Sequence, residues 1–180
     1  MFVQLLAVQT PASADFNEPC AYGTAQTPCA ANNRSHWYYY DGIGPLWRAS
    51  IEDSRTGSYA LLDGWTTRVT TDHDLSDVHF FYDDLPGTVV GQNACVSILP
   101  NDHCAHSHIR IDTDFWATLG LSGVDRQALA CHETGHSVGL THGEAAEWNL
   151  LGCMPQDYPK PSAFLGAHNV WHLETDNAYW

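Results

Sequence analysis

Basic residues are scarce in this sequence: seven Lys and Arg stand against twenty-one Asp and Glu in 180 residues, for a formal net charge of -14. Such a balance repels phosphate backbones and anionic lipid surfaces, so nucleic acid and membrane are excluded as partners. Long apolar runs are also missing; none approaches the ~20 residues a spanning helix needs. Methionine occurs only twice, at Met1 and Met154. The length is too small for a catalytic unit plus accessory modules, and a hydrophobic fraction of 44% suffices for a packed core. The expectation is a single domain.

Six cysteines are present, an even number that favours an oxidising compartment and hence secretion. Their fifteen possible pairings cannot be separated by sequence. Residues 2–8 form a short apolar core interrupted by Gln4 and precede Ala12-Ser13-Ala14, which has the small-x-small form of a signal-peptidase site. Residues 1–14 are therefore expected to be a signal-peptide remnant, and residues 15–180 the single folded domain.

The most informative stretch runs from Cys131 to His142, reading C-H-E-T-G-H-S-V-G-L-T-H. His132 and His136 stand one turn apart on one face of a helix, so their rings can converge on one ion. Glu133 lies on the adjoining flank, where its carboxylate can reach a metal-held water without becoming a ligand. A continued helix would carry His142 roughly 9 Å further along the axis and onto another flank. The chain must leave the helix before it, and Gly139 is suited to do so because glycine tolerates the left-handed conformation that ends helices.

The full H-E-x-x-H-x-x-G-x-x-H resembles the signature of the metzincin metalloproteases, and the secreted, matrixin-like members in particular. The resemblance implies a monomer with an α+β zincin fold: a twisted mixed β-sheet, an active-site helix, a Met-turn and a C-terminal helix. It implies one catalytic Zn2+ held by His132, His136 and His142, with Glu133 as general base for hydrolysis of peptide bonds by a metal-activated water. Met154, in Cys153-Met154-Pro155, matches the Met-turn. The resemblance and the short loops together imply disulfides Cys20–Cys29, Cys95–Cys104 and Cys131–Cys153, the last tying the helix to the Met-turn. Protein or peptide is the implied substrate. Two alternatives stay open: a secreted zinc-containing binding module without turnover, and a processing peptidase of narrow specificity. Glu144 or Glu147 could replace His142 as a ligand. The tyrosine that some relatives carry two residues after the methionine is absent, since Gln156 stands there, and Tyr158 is out of register. The segment around Cys20 does not match the cysteine switch by which matrixins hold themselves inactive.

Along the chain, residues 36–40, 78–82 and 89–99 read as strands and 45–55 as a helix with Leu46, Trp47 and Ile51 inward. Residues 108–113 alternate, with Ile109 and Ile111 on one face and His108, Arg110 and Asp112 on the other. By resemblance His108, Ile109, Arg110 and Ile111 form the edge strand that receives substrate. His103, His106 and His108 raise a second metal, although the matrixin structural-zinc spacing is not reproduced. Ser122 and Asp125 form a capping box that starts the motif helix at Gly123 or Val124. A last helix is expected over 162–176, with Phe164, Leu165, Val170 and Leu173 as its core stripe, and His168 and His172 as structural residues.

Overall fold

The computed structural model describes Cys20 and residues 28–142, 148–156 and 160–175. The expected signal remnant 1–14 lies outside them, as do Glu144, Glu147 and Tyr158.

Five strands, β1 (Ser35–Tyr40), β2 (Thr66–Val69), β3 (Val78–Tyr82), β4 (Gly91–Ile98) and β5 (Cys104–Ile111), form one sheet in the order β2-β1-β3-β5-β4. The β1–β2, β1–β3 and β3–β5 pairs are parallel, and β4 runs antiparallel to β5. The β4–β5 hairpin closes through Leu99 N–H to His103 O at 2.9 Å, with Asp102 in the left-handed region at φ 62°. Here the structure corrects an expectation. The strand carrying His108, Ile109, Arg110 and Ile111 is interior, hydrogen-bonded on both sides, and the edge is β4. Alternation reports that one face is buried; it carries no information on lateral neighbours.

Helix α1 (Pro45–Gly57) makes the crossover that parallel β1 and β2 require, with proline in its first turn. Trp47, Ser50, Ile51 and Ser54 form its buried stripe. Leu46, expected inside, is 67% exposed because it lies about a quarter turn from that stripe. Among the described residues four further α-helices follow: α2 (Thr113–Thr118), α3 (Gly123–Ser137), α4 (Trp148–Leu151) and α5 (Ala167–Thr175). The sequence reading missed β2 and α2, and it began α5 too early. Residues 164–166 are held outside the helix, since Gly152 bridges Leu165 and Cys153 N–H donates to Phe164 O at 2.9 Å. Phe164 accordingly lies over Gly57, where an added Cβ would sit 2.2 Å from its ring, and Phe164 stays 41% exposed.

Two apolar cores meet at α3. One packs Tyr38, Phe80, Ile109 and Ile111 of the sheet against Trp47 and Ile51 of α1, Trp116 of α2, and Leu129 and Ala130. The other gathers Tyr59, Leu62, Trp65, Cys131, Val138, Leu140, Leu151, Met154 and Leu173. All of 128–137 is buried as a result, although the stretch includes two histidines and a glutamate. The cysteines pair as the resemblance implies, with Cα separations of 4.7 Å (Cys20–Cys29), 5.8 Å (Cys95–Cys104) and 6.0 Å (Cys131–Cys153).

Candidate metal centre

Helix α3 begins at its capping box: Asp125 N–H donates to Ser122 Oγ at 3.3 Å, and Ser122 N–H donates to Asp125 Oδ2 at 2.8 Å. It ends in a Schellman arrangement. Gly139 N–H donates to His136 O at 3.1 Å, Leu140 N–H donates to Gly135 O at 2.9 Å, and Gly139 takes φ 96°. The reversal returns the chain beside the helix, and His142 arrives over the two helical histidines.

The three Nε2 atoms form a nearly equilateral triangle: His132 to His142 3.0 Å, His132 to His136 3.1 Å, and His136 to His142 3.1 Å. The opposite ring nitrogens explain why. His132 Nδ1 lies 2.9 Å from Cys153 O, and His136 Nδ1 lies 2.7 Å from Leu140 O. A carbonyl only accepts, so both Nδ1 atoms carry the proton and both Nε2 atoms present lone pairs. Lys160 Nζ also comes within 3.2 Å of His132 Nδ1, but it donates to the Pro155 and Gln156 carbonyls, which leaves the His132 tautomer to Cys153. Lone pairs meeting at 3.1 Å repel unless a cation stands between them. The donor set could thus hold a borderline divalent metal ion, and His132 and His136 are each oriented by a backbone carbonyl. Burial lowers His132 well below the ordinary histidine range and His136 to about 3, so both are neutral and able to ligate at physiological pH.

Glu133 is 5% exposed. Burial pushes its carboxyl up to about 8, against the opposing pull of the Lys160 ammonium and a hydrogen bond from Asn93 N–H. Gly91, at the start of β4, makes room for it, since a Cβ there would come within 2.9 Å of Glu133 Oε1 and 3.0 Å of Leu129 Cδ1. Met154, fully buried, presses its sulfur onto Gly135, where a Cβ would lie 2.3 Å from Sδ. Neither Gly91, Gly135 nor Lys160 was singled out from sequence. Gly135 is an x position of the motif, Gly91 depends on a contact between β4 and α3, and Lys160 is notable in sequence only as the chain's sole lysine.

His132, Glu133, His136 and His142 line a cleft of about 480 Å³ bounded by residues 88–93 on one side and by Thr141, Gln156 and Lys160 on another. Its strand wall is β4, and His108, Ile109, Arg110 and Ile111 do not line it. Arg110 instead bonds Asp83 at 3.0 Å on the far face of the sheet.

No protein-family model matches the sequence, and no curated protein matches it. Two solved structures of myroilysin resemble the fold. The first aligns with a TM-score of 0.50 over 89% of this chain and 100% of that one, at 9% identity. The second aligns with a TM-score of 0.41 over 78% of this chain and 60% of that one, at 15% identity. The first likeness is one of fold alone: this chain shares with myroilysin a mixed α+β architecture.

Proposed function

We propose that this chain is a secreted zinc-dependent endopeptidase of the metzincin kind, folded as a single domain over residues 15–180. His132, His136 and His142 hold one catalytic Zn2+, and Glu133 is the general base. The observation that carries this reading is the convergence of three Nε2 atoms, those of His132 and His136 presenting lone pairs, beside the buried Glu133 carboxyl in an open cleft. A closed structural site would be completed by a fourth side chain; among the described residues His132, His136 and His142 form a group of three, with the cleft on the remaining side.

Held by His132, His136 and His142, zinc would supply Lewis acidity, the means of polarising a carbonyl and of making water a nucleophile near neutral pH. The protein's own residues do the rest. Glu133, held by Asn93 N–H and ionised by the charge of a cation on the three histidines, would accept the proton from the attacking water and pass it to the departing amine; burial, which raises its carboxyl range, favours the return. No covalent intermediate on the protein is needed. β4 borders the cleft as a sheet edge, and a substrate backbone extends the sheet by pairing antiparallel with it. Three disulfides support an oxidising, extracellular setting.

Glu133→Gln tests the assignment. The variant is expected to retain its zinc and its circular dichroism while losing at least about a thousandfold in cleavage of a quenched peptide library, the scale of general-base loss. A variant that cleaves within about tenfold of the parent removes Glu133 from the reaction, and a parent insensitive to chelator removes the metal.

A further inference from the structure

The sheet face turned away from α3 carries a second group of histidines. Alternation sends Val78, Phe80, Ile109 and Ile111 into the core and His79, Phe81, His106 and His108 to the other side. The β3–β5 register sets His79 directly opposite His108, and His106 lies two residues before His108 on the same face. His73, in the short turn leading into β3, leans over them. Its ring centroid is 4.9 Å from that of His79 and 5.3 Å from that of His106. One ligand nitrogen from each of the four lies within 4.8 Å of the others.

We infer that His73, His79, His106 and His108 form a second transition-metal site, for a borderline divalent ion of the zinc, nickel or copper class. Hard cations such as calcium and magnesium, which require oxygen ligands, do not suit it. The nitrogens themselves carry the argument. His79 is 8% exposed, and neither of its ring nitrogens has a hydrogen-bond partner; nor does Nε2 of His106. Buried polar atoms in folded proteins are nearly always paired, and a bound cation supplies the missing partner. His106 Nδ1 bonds Ser76 O at 2.6 Å, so its proton sits on Nδ1 and its Nε2 lone pair faces the cluster. His73 Nδ1 is 3.3 Å from Asp74 Oδ1, a carboxylate that orients the ring in the same manner. Asp41 Oδ2 lies 3.8 Å from His79 Nε2 and adds a negative charge at the rim. Tyr39 and Phe81 wall the site, with centroids 5.0 Å and 4.9 Å from His79. A purely aromatic cluster would have no use for unpaired nitrogens at its centre.

The membership differs from the sequence expectation. His103 turns away, with Nδ1 3.0 Å from Asn101 Nδ2, and Cys104 is spent in a disulfide. His73 and His79 replace them. An ion here would pin the turn His73–Leu75 to the sheet across β3 and β5.

This site stands independently of the proposed peptidase centre, and metal stoichiometry separates the two. Chelator-stripped full chain is reloaded with Zn2+, desalted, and counted by native mass spectrometry and elemental analysis, beside His73→Ala/His108→Ala and His132→Ala/His136→Ala. The parent is expected to hold one equivalent more than the His73→Ala/His108→Ala variant, whose positions are exposed (His73) and half-buried (His108), outside the core. The His132→Ala/His136→Ala variant is expected to keep one equivalent. Loading with Co2+ should give that variant the intense visible bands of a four-coordinate nitrogen site. A parent whose metal content and thermal midpoint are unchanged by His73→Ala/His108→Ala overturns the second site and leaves the first untouched. So does a His132→Ala/His136→Ala chain that folds but takes up no metal.

Discussion

At the scale of single residues, the candidate centre depends on side chains that are missing as much as on those present. Gly135 has no Cβ, and Met154 Sδ occupies the place where one would be, 2.3 Å from its ideal position. Gly135→Ala should therefore drive Met154 off the helix and destabilise the protein by roughly 1–3 kcal/mol, the usual cost of overpacking a core. Urea denaturation measures it. The companion Met154→Ala should recover part of the loss, and a double-mutant cycle showing no coupling would falsify the contact as its origin. Gly91 makes the corresponding allowance for Glu133. The convergence of the motif's histidines was legible in sequence because their spacing is local, whereas these two glycines acquire meaning only once β4 and the Cys153–Met154 turn are folded against α3.

At the scale of elements, α3 was the most legible part of the chain. Ser122, Asp125 and Gly139 act within a few residues of themselves, and the helix starts and stops where they direct. The sheet was less so. β2 is four residues long, with Thr66, Arg68 and Val69 exposed, so it offers no buried alternation to read. β5 was recognisable as half-buried but not as interior, because strand order depends on the α1 crossover and on which hairpin folds back. Leu46 and Phe164 were misplaced for a similar reason, since an apolar side chain announces burial without saying against what. The link between α3 and its neighbouring turn is testable at this scale. The Cys131–Cys153 bond and the Cys153 carbonyl together position His132. Replacing both cysteines by serine should cost roughly 2–4 kcal/mol of stability. Zinc affinity should fall as well, by about 10- to 100-fold, because the carbonyl that orients His132 loses its anchor. Competition against a chromogenic chelator measures the affinity, and an unchanged value would separate the disulfide from ligand orientation.

At the scale of the whole molecule, acid sensitivity should exceed what the acidic composition alone produces. His36 is 3% exposed, its ring nitrogens lack hydrogen-bond partners, and burial lowers it to about 4 from an ordinary 6.5. The folded state thus binds fewer protons than the unfolded one between those values. Stability is full above about pH 6.5 and is lost as pH falls toward 4, by on the order of 3 kcal/mol from this residue. His36→Phe keeps the ring beside Trp65 and should flatten the slope between pH 7 and pH 4.5 in urea titrations; an equally steep slope assigns the acid lability elsewhere. Asp77, raised to about 6 by burial despite the bond from Trp37 N–H, works in the opposite sense: its contribution declines as pH rises from about 4 to 6.

The reversal at Gly139 divides the proposed ligand triangle unequally. Two corners, His132 and His136, are set in a helix buried between two cores, while the third, His142, is exposed on the strand of chain beyond the turn. Such a triangle opens at one corner first. An arriving ion would meet a two-toothed seat on the buried helix and then be closed in by His142, and a departing ion would leave by the same order in reverse, so exchange of the metal would not require the helix to unfold.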